Sequence, residues 1–170
     1  MERENAVKLK GAPLTLIGPE LKRGDQAPDF RCVENLGSEV SLENFGNDVK
    51  VFNVVVSVDT PVCDVQIRRF NEEAATLSDS VRIVTVSMDL PFAQSRYCGA
   101  AEVDRVGTAS DYQYASFGEA YGVLIKENRL LARAIFVVGR DNVIEHVEYV
   151  EDIVNEPDYD AALEAIKSIG

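Results

Sequence analysis

A continuous apolar run at residues 49–56 most constrains what this chain can fold into. Its letters, VKVFNVVV, are rich in β-branched residues and lack the polar alternation of a half-exposed strand. The run therefore predicts a strand that is buried on both faces. A short segment, SVDTP, follows it, and apolar residues then recur at helical spacing over residues 62–77. The sequence predicts a strand, a short loop and a helix whose first turn contains Cys63.

The rest of the chain supplies elements typical of an α/β layer structure with a mixed sheet. Hairpins are predicted at residues 7–17, with a Gly-Ala-Pro break, and at residues 30–42, with the turn at Asn35-Leu36-Gly37. Further strands are predicted at residues 81–88, 132–138 and 143–147, and further helices at 91–95, 111–121 and 157–169. Because no repeat or composition shift marks a linker, we expect one domain over residues 1–170.

The charge of the chain argues against several kinds of partner. It carries 17 basic and 29 acidic residues, for a formal net charge of -12. Phosphate backbones and anionic lipid surfaces repel such a protein, so neither nucleic acid nor membrane is expected as a partner. No apolar run approaches the roughly 20 residues that cross a bilayer, and the N-terminus lacks the features of a secretory signal. We therefore expect a soluble cytoplasmic protein.

The three cysteines, Cys32, Cys63 and Cys98, fit neither a disulfide framework nor a zinc site, because their number is odd and no pair is spaced as CxxC. No phosphate loop, EF-hand or metal cluster is recognisable, so no cofactor is implied. Cys32 is expected to be a plain core or surface cysteine. The lone His146 could serve a cysteine as a base, although a structural role is commoner for a single histidine.

The segment SVDTPVC delivers Cys63 to the start of a helix. Free backbone N–H groups and the positive end of the helix dipole favour an anion there, and hence a thiolate. Thr60 could turn its hydroxyl toward the sulfur or a bound oxygen substrate, or it could be an ordinary N-cap. From this segment alone Cys63 is a candidate nucleophile, and a small buried apolar cysteine remains the alternative.

Two segments together carry a family resemblance. SVDTPVC followed by RRFNEEAA, and then SMDLPFAQSRYCGA, resemble the thiol peroxidase branch of the peroxiredoxins. The resemblance runs over nearly the whole chain, including ASFGEAYGV, LLARAIFVV and EPDYDAAL. It implies a thioredoxin-like fold, with a mixed central sheet flanked by helices and an N-terminal β-hairpin. It also implies the thiol-dependent reduction of hydrogen peroxide and organic hydroperoxides to water or alcohols.

The same resemblance implies a role for four residues. Cys63 would be the peroxidatic cysteine and Thr60 its hydroxyl partner, Cys98 the resolving cysteine, and Arg133 the guanidinium that stabilises the thiolate. A sulfenic acid on Cys63 would give an intramolecular Cys63–Cys98 disulfide, which thioredoxin would reduce, in a protein that is usually a homodimer. An arginine is always charged and suits a thiolate, although without the resemblance a solvent-facing Arg133 is the simpler interpretation.

We also predict local unwinding near Cys63 or Cys98 at each turnover. Cys98 is expected to follow a short helix, and a strand separates it from Cys63 along the chain. A disulfide requires α-carbons within about 7 Å, so the two sulfurs need not be adjacent in the reduced protein.

Val56 departs from the family pattern. The broader peroxiredoxin pattern has proline at this position, seven residues before the peroxidatic cysteine. The departure leaves open how tightly the peroxide pocket closes, and it leaves room for a non-catalytic peroxide or redox sensor that acts through a partner protein. A thioredoxin-like disulfide reductase would need the missing CxxC. The aromatic residues of YQYASFGEAYG are expected mostly in the core, with a dimer face as the alternative.

Overall fold

Ten strands and four α-helices follow one another along residues 1–169, the part of the chain that the structure, a computed structural model, describes. The strands are β1 (Glu2–Leu9), β2 (Ala12–Ile17), β3 (Cys32–Asn35), β4 (Ser38–Val40), β5 (Val49–Val54), β6 (Val81–Ser87), β7 (Gly107–Ser110), β8 (Leu124–Ile125), β9 (Ala134–Val138) and β10 (Ile144–Tyr149). The helices are α1 (Pro61–Ala74), α2 (Pro91–Ala101), α3 (Ser116–Ala120) and α4 (Tyr159–Ile169), and a 3-10 helix (Leu42–Phe45) precedes β5. Within residues 1–169 none of the helices has the length and apolar character needed to cross a membrane.

Seven strands form one mixed sheet in the order β10-β9-β5-β6-β7-β3-β4. Strands β5, β6 and β7 run parallel, and the other neighbours in this sheet are antiparallel. Strand β5 has a partner on each edge, so Val51 pairs with both Ile83 and Val137, and every residue of β5 is buried. The predicted α/β fold, with a mixed sheet and a strand buried on both faces, is confirmed.

Side chains alternate between two cores on either face of this sheet. On one face Val51 belongs to a cluster with apolar residues of α1 and α4. On the other face the ring of Phe52 meets those of Phe117 and Tyr121 edge-on, at centroid distances of 5.4 and 5.7 Å. Of the aromatic segment YQYASFGEAYG, Phe117 and Tyr121 therefore lie in the core. The expectation fails for Tyr112, which is exposed, and Tyr114, which is half-buried.

The N-terminal hairpin is present, but it is longer and turns earlier than the sequence predicts. Strand β1 begins at Glu2, and the turn is Lys10-Gly11, whose φ angles are 50° and 83°. A two-residue turn with positive φ at both positions matches the right-handed twist of the paired strands. Pro13, which the sequence placed at the break, lies inside β2 opposite Lys8.

Helix α2 is the main correction to the sequence-based elements. It was predicted over residues 91–95 but continues to Ala101, so Cys98 lies inside the helix and not after it. The helix buries only Pro91 and Gln94, so no apolar stripe marks its length. The next residue, Glu102, adopts a left-handed conformation with φ of 57° and terminates the helix.

Short elements account for the remaining differences. Strands β7 and β8 were not predicted, because segments of four and two residues are too short to show a period. Helix α3 begins at Ser116, later than predicted. The N-cap residue is Ala115 and not the predicted Asp111, although the Asp111 carboxylate accepts hydrogen bonds from the N–H groups of Phe117 and Gly118 at 3.0 and 2.7 Å.

His146 should make the protein less stable in mild acid. It lies on β10, and its buried Nε2 has no hydrogen-bond partner among the described residues. Burial lowers its pKa, although Glu148 and Asp158 act in the opposite direction. The unfolded chain therefore takes up this proton more readily, and stability is lost as the pH falls below the unfolded pKa of about 6.5.

The test compares wild type with His146→Gln by urea unfolding between pH 8 and pH 5. The free energy of unfolding of the wild type should fall more steeply below pH 6.5 than that of the variant, since the remaining titrating groups are common to both. If the free energies of unfolding of the two proteins changed in parallel with pH, His146 would contribute nothing to the pH dependence of stability.

Candidate active site

The fold brings Cys63 to a fully buried position at the start of α1. The loop of residues 55–60 leaves β5 at the edge of the sheet, and Thr60 is the last residue before the helix. Pro61 then occupies the first helical position, where its missing N–H costs no hydrogen bond. Cys63 is the third helical residue and has no solvent-exposed surface. Backbone N–H groups of a first helical turn lack partners within the helix, so the sulfur lies where an anion is favoured.

Arg133 is the cation of this site. It directly precedes β9, the antiparallel neighbour of β5, and is only 2% exposed. Its Nη1 donates to Cys63 Sγ at 3.2 Å and to Gln66 Oε1 at 2.8 Å, and its Nε donates to the carbonyl oxygen of Ile153 at 2.9 Å. The alternative of a solvent-facing arginine is thereby excluded. A permanent positive charge therefore lies in hydrogen-bond contact with the sulfur of Cys63.

A chain of buried amides holds Arg133 in place. Gln66 accepts from Arg133 and donates through Nε2 to Asn53 Oδ1, and Asn53 donates in turn to Thr85 Oγ1 at 3.2 Å. Gln66, Asn53 and Thr85 have no exposed surface. Sequence reasoning missed this chain. One signal was available, because Gln66 is a polar residue one helical turn from Cys63 on the apolar face of α1.

The hydroxyl of Thr60 is directed to the backbone. Its Oγ1 donates to the carbonyl oxygen of Ser57 at 3.2 Å, and no side-chain capping bond reaches the helix. Thr60 thus holds the N-cap position by its extended backbone, without the side-chain bond of an ordinary N-cap. Its oxygen can still accept a hydrogen bond, since a hydroxyl offers both a donor and lone pairs.

Asp89 fixes the loop that precedes Cys63. Its carboxylate accepts hydrogen bonds from Ser57 Oγ, the N–H of Val58 and Ser87 Oγ, at 2.8, 2.9 and 2.7 Å. Asp89 follows β6, which runs parallel to β5, so both strands end at the same edge of the sheet. Sequence reasoning did not single out Asp89, although it lies within SMDLP, one of the segments that carry the resemblance.

Cys98 packs against the apolar cluster that contains Cys63. It is half-buried in the last turn of α2, and its thiol, like those of Cys32 and Cys63, is free. It lines a cavity of about 430 Å³ between α2 and the β3–β4 hairpin, and Cys63 is not part of that lining. Burial raises the pKa of Cys98, which keeps the thiol protonated near neutral pH.

Each of the remaining candidates has its own surroundings in the fold. Cys32 is buried in the core, where its Sγ donates to Asp111 Oδ1 at 3.5 Å, and burial raises its pKa above that of an ordinary thiol. His146 lines a different cavity, of about 890 Å³, between β10 and α4. Val56 is half-buried and packs against the clusters on both faces of the sheet. Within residues 1–169 no group of three or more His, Cys, Asp or Glu is arranged to hold a metal ion.

Comparison with known proteins agrees with this geometry. The Redoxin family model matches residues 22–163. A thiol peroxidase of Bacillus subtilis is 50% identical over 163 residues, which cover 96% of this chain and 97% of the relative. The chain belongs to the thiol peroxidases, a branch of the redoxin family. The thiol peroxidase of Oceanobacillus iheyensis is 52% identical over 157 residues, covering 92% of this chain and 95% of its own. The crystal structure of a peroxiredoxin-like protein from Aquifex aeolicus superposes with a TM-score of 0.89 at 40% identity, covering 98% of each chain.

Replacement of Gln66 tests whether the buried amide chain holds Arg133 in place. Gln66→Leu removes the acceptor of one Arg133 Nη1–H group and the donor to Asn53 Oδ1, and both atoms remain buried without these partners. An unpartnered buried polar group costs about 1–3 kcal/mol, and more when it is charged, so the free energy of unfolding should fall by roughly 2–4 kcal/mol. Urea unfolding measures this loss.

Gln113→Leu is the matched control, because Gln113 is exposed and its side chain donates to the hydroxyl of the neighbouring Tyr114. Equal losses in the two variants would mean that the buried amide chain does not support Arg133.

Proposed function

We propose that this chain is a thiol peroxidase that reduces hydrogen peroxide and organic hydroperoxides through Cys63. The observation that carries the proposal is the contact of 3.2 Å between Arg133 Nη1 and Cys63 Sγ at the start of α1. A thiolate there is stabilised by the guanidinium and the helix terminus together. The chain's membership of the thiol peroxidases supports the same chemistry.

In the first step the Cys63 thiolate attacks one oxygen of the peroxide. The S–O bond forms as the O–O bond breaks, and the departing oxygen takes up a proton to leave as water or an alcohol. Arg133 and the N–H groups of the first turn of α1 stabilise the charge that develops on the oxygens. Thr60 contributes by accepting a hydrogen bond from the peroxide O–H, while its own hydroxyl continues to donate to the carbonyl oxygen of Ser57.

In the second step the Cys63 sulfenic acid condenses with Cys98 to form a disulfide, which protects Cys63 from further oxidation. The Cys63 sulfur contacts Arg133, whereas Cys98 faces a separate cavity, and both cysteines lie within helices. At least one of these helix turns must therefore unwind before the sulfurs meet. The same backbone around residues 60–66 and 95–102 in reduced and oxidised crystals would contradict this step.

A dithiol donor must then reduce the disulfide, and we expect this donor to be thioredoxin. We also expect a homodimer in the cytoplasm. These expectations rest on the resemblance to the thiol peroxidases.

The direct test follows NADPH oxidation with thioredoxin, thioredoxin reductase and either hydrogen peroxide or cumene hydroperoxide. Wild type should turn over with both peroxides. Cys63→Ser should lose at least about 100-fold in rate because the nucleophile is gone. Cys98→Ser should form no Cys63–Cys98 disulfide for thioredoxin to reduce, so its catalytic turnover should stop. Cys32→Ala is the matched control and should keep wild-type turnover, because Cys32 lies in the core beside Asp111.

A folded wild type with a titratable Cys63 thiol but no turnover would contradict the peroxidase. That result, combined with oxidation-dependent binding to a partner protein, would favour the sensor instead.

A further inference from the structure

We propose that a hydrogen-bonded clasp between α1 and α2 holds the enzyme in its dithiol form and sets how readily Cys63 and Cys98 join. The clasp consists of Asp64, Arg68 and Tyr97. The inference rests on the proposed function, because it concerns the resolving step of that same reaction. Tyr97 is then a positioning residue for this step.

The members of the clasp are the immediate neighbours of the two cysteines. Asp64 follows Cys63 in α1, and Tyr97 precedes Cys98 in α2. The hydroxyl of Tyr97 donates to Asp64 Oδ1 at 2.5 Å, and Arg68 Nε donates to the same oxygen at 2.9 Å. The residue next to each cysteine therefore forms a hydrogen bond with the helix that carries the other cysteine.

Arg68 extends the clasp to the end of α2. Its Nη1 donates to the carbonyl oxygen of Ala101, the last residue of that helix, at 3.2 Å. One side chain of α1 therefore holds both the carboxylate that Tyr97 binds and the C-terminal turn that contains Cys98. These contacts favour the arrangement in which both cysteines are helical.

Both thiols are free in this arrangement, so the disulfide requires a different one. Cys98 attacks the sulfenic sulfur of Cys63, the S–S bond forms as the S–O bond breaks, and the hydroxide leaves as water with the thiol proton of Cys98. The sulfurs must come within about 2 Å and the α-carbons within about 7 Å. Because the Tyr97–Asp64 bond joins the two turns that carry the cysteines, movement of either turn breaks it.

An interaction present in only one of two states shifts the equilibrium toward that state. Hydrogen bonds to a carboxylate are stronger than those between neutral groups, and the half-buried position of Tyr97 limits competition from water. The clasp therefore stabilises the dithiol form and slows resolution. While resolution waits, excess peroxide can oxidise the sulfenic acid further to sulfinic acid.

Tyr97→Phe removes one hydroxyl and keeps the ring. Equilibration in thiol–disulfide buffers, followed by alkylation and mass spectrometry, gives the reduction potential of the Cys63–Cys98 pair. Loss of a hydrogen bond to a charged group should favour the disulfide roughly tenfold, which corresponds to a potential about 30 mV more negative. The fraction of Cys63 converted to sulfinic acid by excess peroxide should fall several-fold.

Tyr114→Phe is the matched control. The hydroxyl of Tyr114 also donates to a carboxylate, Glu39 at 3.0 Å, but it does not connect the helices that carry the cysteines. This variant should keep the wild-type potential and sulfinic fraction. Arg68→Gln loses the bonds to Asp64 and Ala101 and should shift both quantities in the same direction as Tyr97→Phe.

The outcomes separate the clasp from the function on which it rests. A wild-type disulfide whose potential is unchanged, or less negative, in Tyr97→Phe would overturn the clasp alone. The same shift in Tyr114→Phe would also overturn it, because the effect would then be general. If peroxide produced no Cys63–Cys98 disulfide in the wild type, the proposed resolving step would fail, and the clasp with it.

Discussion

A guanidinium buried against a cysteine sulfur is the interaction on which the rest of this site depends. Removing a charge from water costs several kcal/mol, and in a protein interior that cost is offset only by well-formed polar contacts. Arg133, at 2% exposure, makes such contacts with Gln66, with the carbonyl of Ile153 and with Cys63. In the proposed mechanism the Cys63 thiolate supplies the opposite charge.

The architecture of the sheet makes the interaction possible. Strands β5 and β9 are antiparallel neighbours, so the end of β5 lies beside the start of β9. The loop from β5 leads to Cys63, and Arg133 lies directly before β9. Strand β6 flanks β5 on its other side and leads to Asp89, whose carboxylate fixes Ser57 and Val58 in that loop. Residues from three separate parts of the chain therefore converge at one edge of the sheet.

Local pattern predicted much of this fold, and its failures have physical causes. The buried strand β5 carries a continuous apolar run and helix α1 a helical apolar period, and both were predicted. Helix α2 carries almost none, because it buries so little of its surface, and the position of Cys98 was therefore misjudged. The contact between Arg133 and Cys63 joins residues 70 apart in sequence, which no local pattern encodes. Only the family resemblance pointed to it, whereas Gln66 was recognisable as a polar residue on an apolar helix face.

The central claim is that Cys63 owes its reactivity to Arg133. The most direct measurement is the second-order rate constant for oxidation of Cys63 by hydrogen peroxide, followed by rapid quenching and mass spectrometry in wild type and Arg133→Gln. Arg31→Gln is the control, since Arg31 is an exposed arginine that pairs with Glu39. Loss of a preorganised charge of this kind should slow the reaction about 100-fold or more in the Arg133 variant and leave the Arg31 variant unchanged. A folded Arg133→Gln protein that reacts at the wild-type rate would contradict the account.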